Sequence, residues 1–134
     1  MNILNDKAIS IIKNMVITEL PKIKVKSGLC RINFRCHLNA VHDALENKEN
    51  TIAMCFHIEH GKNKQPIIHF INVNKKGKYI DNTLGYWSKI NDYYLVRLIK
   101  KQEFLYIENI FGNYRKELNN KLPFIVRILS NVTF

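Results

Sequence analysis

The chain has 134 residues, 46% of them hydrophobic, which suits one core within a single domain spanning residues 1–134. Its 21 Lys and Arg against 11 Asp and Glu give a net charge of +10, a balance that favours an acidic protein or nucleic acid as partner and equally suits a solvated surface. No stretch has the build of a signal peptide or a membrane span, and three cysteines, Cys30, Cys36 and Cys55, fit a reducing cytoplasm better than a disulfide scaffold.

In chain order, Ile9, Ile12, Val16 and Leu20 recur at helical spacing, with Ala8, Ile11 and Met15 beside them, and predict a helix over residues 6–20. Asn5 or Asp6 caps it and Pro21 ends it. The segment "PKIKVKSG" alternates lysines with Ile23 and Val25, the pattern of one short exposed strand. A second helix is predicted from about Cys36 to Asn47, with Leu38, Val41 and Leu45 on one face and Ala40 and Ala44 next to them. From Thr51 the period becomes two: Ile52, Met54, Phe56 and Ile58 form one face, while Cys55, His57 and Glu59 read as an exposed one. Strands follow at about residues 67–73, 78–82 and 93–99, then a helix interrupted or ended near Gly112, and "FIVRIL" as a last strand or short helix. Helices followed by an antiparallel set of strands make an α+β chain. The abundance of Asn, Lys and Ile is also that of AT-rich coding sequence, as in many phages and low-GC bacteria.

Three positions draw chemical attention. Cys36 falls in the opening turn of a helix, where unpaired backbone N–H groups and the positive end of the dipole favour a thiolate, although buried cysteines also serve as small apolar side chains. His69 stands in "IIHFINV" on a face shared with Ile67, Ile71 and Val73, as a satisfied core histidine or as one presented to a neighbour. The turn "NKKG" fits a type I turn closed by a left-handed glycine, with Asn74 opposite Lys78. Counting outward sets Val73 against Tyr79 and brings Asp81 to the face of His69, on a diagonal; a register one residue longer brings Asn82 there instead.

A cysteine opening a helix, then "HFINV", then "YIDNT" after a turn, resembles the papain-like cysteine enzyme superfamily, in particular its transglutaminase-like and small cysteine peptidase branches, over about residues 30–85. The resemblance implies a papain-like fold with N-terminal helices on an antiparallel sheet. It assigns Cys36 as nucleophile, His69 as general base and acid, and Asp81 as the orienting residue, acting on a protein or peptide substrate without a cofactor. The backbone N–H of Cys36 and the side chain of Asn33 are the oxyanion donors it suggests, and no glutamine stands at the spacing seen in papain.

Two further readings stand beside it. Cys55, His57 and His60, with Cys30 or His42, offer zinc-type ligands at a weak spacing, so no metal is assigned. The basic charge, "GYW" at residues 85–87, and Tyr93, Tyr94 and Tyr106 suit a binding surface for nucleic acid or an acidic host protein, or else fill the core of a small sheet.

Overall fold

Helix α1 runs from Ile3 to Glu19 in the computed structural model, which describes every residue except Met1, Ile32, Phe34 and Asn63. Its cap lies upstream of the predicted pair: Asn2 Oδ1 accepts the N–H groups of Leu4 and Asn5 at 3.0 and 3.4 Å. Two short strands follow where one is predicted, β1 (Lys22–Ile23) and β2 (Val25–Ser27). Next come α2 (Cys36–Glu46), β3 (Thr51–Glu59), β4 (Ile67–Val73), β5 (Tyr79–Asp81) and β6 (Asn91–Ile99). A 3-10 turn, Gly85–Ile90, precedes β6, and another, Lys101–Tyr106, leads into α3 (Ile107–Asn120) and α4 (Phe124–Leu129). Helix α3 runs unbroken through Gly112, where a Cβ would meet nothing within 4 Å, instead of ending there as the sequence suggests. "FIVRIL" is helical.

One sheet takes all six strands in the order β1-β6-β3-β4-β5-β2. It is mixed where the sequence predicts an antiparallel one, since β2 runs parallel to β5, with Val25 against Tyr79 and Ser27 against Asp81. Strand β1 pairs antiparallel with β6 at the opposite edge. Only Lys24 separates β1 from β2, so Ile23 and Val25 are held within about 7 Å by chain geometry. The sheet therefore curls until both of its edges are fastened to one extended segment, Lys22–Ser27.

That curl gives the protein two cores. On the outer face Ile52, Met54, Phe56, Ile68 and Phe70 meet residues of all four helices, among them Ala8, Ile12 and Val16 of α1. Helix α2 turns its alanine side inward: Ala40 and Ala44 are buried, whereas Leu38 and Leu45, on the side the sequence favours, are 40% and 64% exposed. The inner face closes on itself around Ala53, Cys55, Ile71, Val73 and Tyr93, with Ile23 and Val25 from the closing segment. For this reason Cys55 has no solvent exposure, contrary to the reading of its strand face as exposed.

The β4–β5 hairpin has the predicted register. Asn74 N–H donates to Lys78 O at 3.0 Å, Gly77 takes φ +75°, and Asn72 and Val73 lie against Ile80 and Tyr79. At the far end of β5 the closing segment meets the sheet without room to spare: Gly28 N–H donates to Asp81 O at 2.9 Å, and a Cβ on Gly28 would lie 2.1 Å from Asn82 Oδ1 and 2.9 Å from Asp81 O. Replacing Gly28 by Ala is expected to destabilise the protein by about 1–3 kcal/mol through this overpacking, read as a lower urea midpoint with an unchanged m-value.

Candidate active site

Polar clamps fix where α2 begins. Arg31 forms a two-pronged ion pair with Asp43 of α2, Nη1 to Oδ2 at 2.8 Å and Nη2 to Oδ1 at 2.9 Å, and donates through Nη1 to Asn82 O at 2.6 Å. Asn72 of β4, fully buried, donates to Ala40 O at 2.9 Å, and Asn39 of α2 donates to Thr83 Oγ1 at 2.9 Å. Asn33 and Asn39 exchange amide hydrogen bonds at 2.9 and 3.0 Å, and Asn33 Oδ1 accepts Arg35 N–H at 3.2 Å. Asn33, the predicted oxyanion donor, is thus a brace for the start of the helix. No side chain caps α2 at Arg35, so the first-turn N–H groups around Cys36 are left for other acceptors.

The clamps set Cys36 against the rim of β4. Strand β5 pairs with β4 only at Val73 and Asn72, and His37, His69 and the Phe70 backbone all act to lower the Cys36 thiol. Two of the three predicted site residues meet directly, His69 Nε2 lying 2.7 Å from Asp81 Oδ2, and the third, Cys36, is near enough for the His69 charge to act on its thiol. Asn82 takes no part; its amide spans Asn72 Oδ1 and Leu29 N–H. Burial pushes the Cys36 thiol up, but hydrogen bonds with His37 and His69, the His69 charge and the Phe70 backbone outweigh it and bring the thiol down to about 6.

Asp81 has no exposed surface, and each oxygen is supplied with donors. Oδ2 receives His69 and the Tyr93 hydroxyl, the latter at 2.6 Å; Oδ1 receives the Thr83 and Leu84 N–H groups at 2.9 Å each. Burial alone raises this carboxyl, yet the charge and hydrogen bond of His69, with Tyr93 and Leu84, hold it far below the usual carboxylate range. For His69 burial works downward and the Asp81 charge works upward and wins, so the imidazolium persists well above neutral pH. Burial and the Asp81 charge keep the Tyr93 phenol protonated.

Behind the ring lies a layer that the sequence did not connect with the site. His57 meets His69 edge-on at 4.8 Å between centroids and holds Asn91 Oδ1 through Nδ1 at 2.8 Å. Burial, then the His69 charge, brings His57 down to about 4, so it is a neutral neighbour. Cys55 is paired with His69 across β3 and β4, and burial holds its thiol well above the ordinary value. Tyr93, which the sequence offered either to a binding surface or to the core of the sheet, is 2% exposed.

The other predicted sites do not assemble. Cys55 and His57 lie within the inner layer and His60 Nε2 is 3.0 Å from Asp92 Oδ1. Among the described residues the one group with ligand spacing is His42, Asp43 and Glu46, whose aspartate is already paired with Arg31. Among the described residues, no helix is long and apolar enough to cross a membrane. Comparison of the chain with family models, curated proteins and solved structures found no match.

The buried pair makes stability depend on pH in two directions. Asp81 is depressed, so its contribution is present above the unfolded value of about 3.8 and is lost as pH falls toward the folded one; His69 is raised, so its contribution is complete below about 6.5 and is lost as pH rises through the folded value. Asp81→Asn, which strands a buried imidazolium, is expected to cost about 3–5 kcal/mol between pH 4 and 6.5, with a smaller difference on either side. Denaturation midpoints of both proteins across pH 3–9 measure it.

Proposed function

We propose that the protein is a thiol-dependent acyl-transfer enzyme, a cysteine peptidase, deamidase or transglutaminase-like catalyst, with Cys36 as nucleophile, His69 as general acid and base, and Asp81 as the residue that orients the ring. The observation that carries this reading is the His69–Asp81 bond, 2.7 Å long and sealed from water, beside a Cys36 thiol on which the His69 charge acts. The depressed thiol supports it too, since it makes a thiolate–imidazolium pair the resting form at neutral pH. So does the chain order of the three groups, helix then strand then strand, with the helix laid on a mostly antiparallel sheet; this also favours a papain-like form of the fold.

In this mechanism the Cys36 thiolate forms a C–S bond to an amide carbonyl carbon, and the carbonyl oxygen takes up the negative charge beside the backbone N–H groups that open α2. His69 passes its proton to the leaving nitrogen as the C–N bond breaks, and the acyl group remains as a thioester. Water or an incoming amine then gives a proton to His69, bonds to the carbonyl carbon and expels the thiolate, which restores the starting pair. Asp81, saturated with donors, keeps one ring nitrogen occupied through both halves and prevents the imidazole from turning.

A basic face supports a role for acidic partners, as substrates or as a separate binding function. Lys24, Lys26 and Lys78 line a groove beside Tyr79, and Lys22, Lys24 and Lys89 line a second one along the closing segment. An acidic protein or nucleic acid is the partner this face fits. Of the named aromatics, Tyr93 and Tyr94 are buried and closed to stacking, whereas Tyr86, Trp87 and Tyr106 are exposed.

Burst acylation by a p-nitrophenyl ester tests the catalytic reading. The wild type should release about one equivalent of nitrophenol rapidly and carry the acyl group on Cys36 by mass spectrometry; Cys36→Ala should abolish the burst and His69→Ala should slow it about 10²–10⁴-fold. Acylation spread evenly over Cys36 and the exposed Cys30, indifferent to His69, overturns it.

A further inference from the structure

Because Ile23 and Val25 pack into the inner core, Lys22, Lys24 and Lys26 project from the other side of the closing segment, in a row with about 7 Å between neighbours. Lys78 flanks this row in a groove of about 290 Å³, and Lys89 flanks it in another of about 450 Å³; Ile23 and Lys24 line both, so the two grooves adjoin along the segment. All five lysines are exposed. Among the described residues that line the grooves the one carboxylate is Asp92, already engaged by Lys22 at 3.5 Å and by His60 at 3.0 Å. Among the described residues, Lys24, Lys26, Lys78 and Lys89 enter no ion pair.

The turn Gly85–Ile90, which brings Lys89 to the groove, carries two aromatic rings beside it. Its backbone is fastened at several points. Ser88 Oγ and Ser27 Oγ of β2 share a hydrogen bond at 2.8 Å, Trp87 N–H donates to Leu84 O at 3.1 Å, and Trp87 O accepts from the Asn91 side chain at 3.0 Å. Gly85, at φ +55°, passes so close to Cys30 that a Cβ would lie 2.7 Å from Cys30 Cβ. On this fixed backbone the rings of Tyr86 and Trp87 lie 5.0 Å apart between centroids and 35° between planes, and they are 60% and 49% exposed. Two adjacent rings left in water beside unpaired cations mark a surface that serves binding.

We propose that the lysine row and the Tyr86–Trp87 pair form one binding surface for single-stranded nucleic acid, with phosphates following the lysines and a base stacked on the aromatic pair. This rests on the reading of the basic face given above and is independent of the Cys36 assignment. Charge alone suits an acidic peptide equally well, and the rings decide between the two. A carboxylate side chain is repelled by the negative face of an aromatic ring, whereas every base presents a π-face that stacks on it. A single strand is favoured over a duplex because its bases are free to stack, and because the surface is built from an extended segment and a turn, with no helix among its described residues to enter a major groove.

Trp87 is the only tryptophan of the chain, so its emission reports on the surface directly. Titration with an oligothymidylate of about 15 nucleotides should quench that emission. The logarithm of the dissociation constant should rise with the logarithm of salt concentration at a slope of about 3, roughly 0.7 for each of Lys24, Lys26, Lys78 and Lys89. Replacing Lys24 and Lys26 together by Gln should lower the slope by about 1.4. Trp87→Leu, followed by anisotropy of a labelled oligonucleotide, should weaken binding about 10–100-fold and leave the slope in place. Because the lysines are exposed, their double variant stands even where Trp87→Leu weakens the fold. Polyglutamate that binds as tightly as the oligonucleotide and leaves Trp87 emission unchanged overturns the nucleic-acid assignment and keeps the basic face as a site for acidic protein. Oligonucleotide binding that neither variant alters overturns the assignment of this surface. Failure of both polyanions to bind at about 50 mM salt overturns the basic-face reading and this inference with it.

Discussion

A carboxylate sealed from solvent must receive from the protein what water would otherwise give it, and Asp81 is that carboxylate. Its four donors come from β4, from β6 and from the turn that follows β5, so satisfying one charge fixes the mutual placement of three parts of the sheet. The geometry of His69 is a by-product of this requirement. With one nitrogen given to Asp81, the ring has a single direction in which to point the other. Tyr93, kept protonated by the same charge it serves, closes the arrangement from beneath.

Cys36 stands beside β4 because α2 is clamped by polar contacts as well as packed through its alanines. Its inward face is made of alanines, which bring the helix axis close to β4 but supply little area; Arg31–Asp43, Asn72–Ala40 and Asn39–Thr83 then set its position along the strand. Hydrogen bonds of this kind have narrow distance limits, whereas an oily contact permits sliding. Such a mounting holds the start of α2 in a fixed place beside β4.

Much of the local structure was legible from the chain. Strand β4 was readable from its apolar run, and the "NKKG" turn allowed the register to be counted, which brought Asp81 to His69 without any tertiary knowledge. The helix start at Cys36 was equally plain. What the sequence withheld was whatever depends on the curl. Nothing local says that Lys22–Ile23 and Val25–Ser27 fasten opposite edges of a sheet, so the inner core around Cys55 and the inward turn of Tyr93 could not be derived, and His57 read as a surface residue. The buried face of α2 was misjudged for a related reason: leucine is the more apolar residue, but close approach to the strand selects alanine. The role of Asn33 turned on Asn39, six positions along, whose partnership has no signature in spacing.

The closing segment also orders events during synthesis. Cys36 is made before all the groups that tame and sharpen it: His69 follows 33 residues later, Asp81 after a further 12, and Tyr93 after 12 more. Strand β1 has to wait for β6, and β2 for β5, before either has a neighbour. On a growing chain the thiol therefore lacks His69 and Asp81, and the contacts that lower it exist only once the sheet has rolled up around its carboxylate. The surroundings that lower the Cys36 thiol are thus a property of the finished fold and of no part of it made earlier.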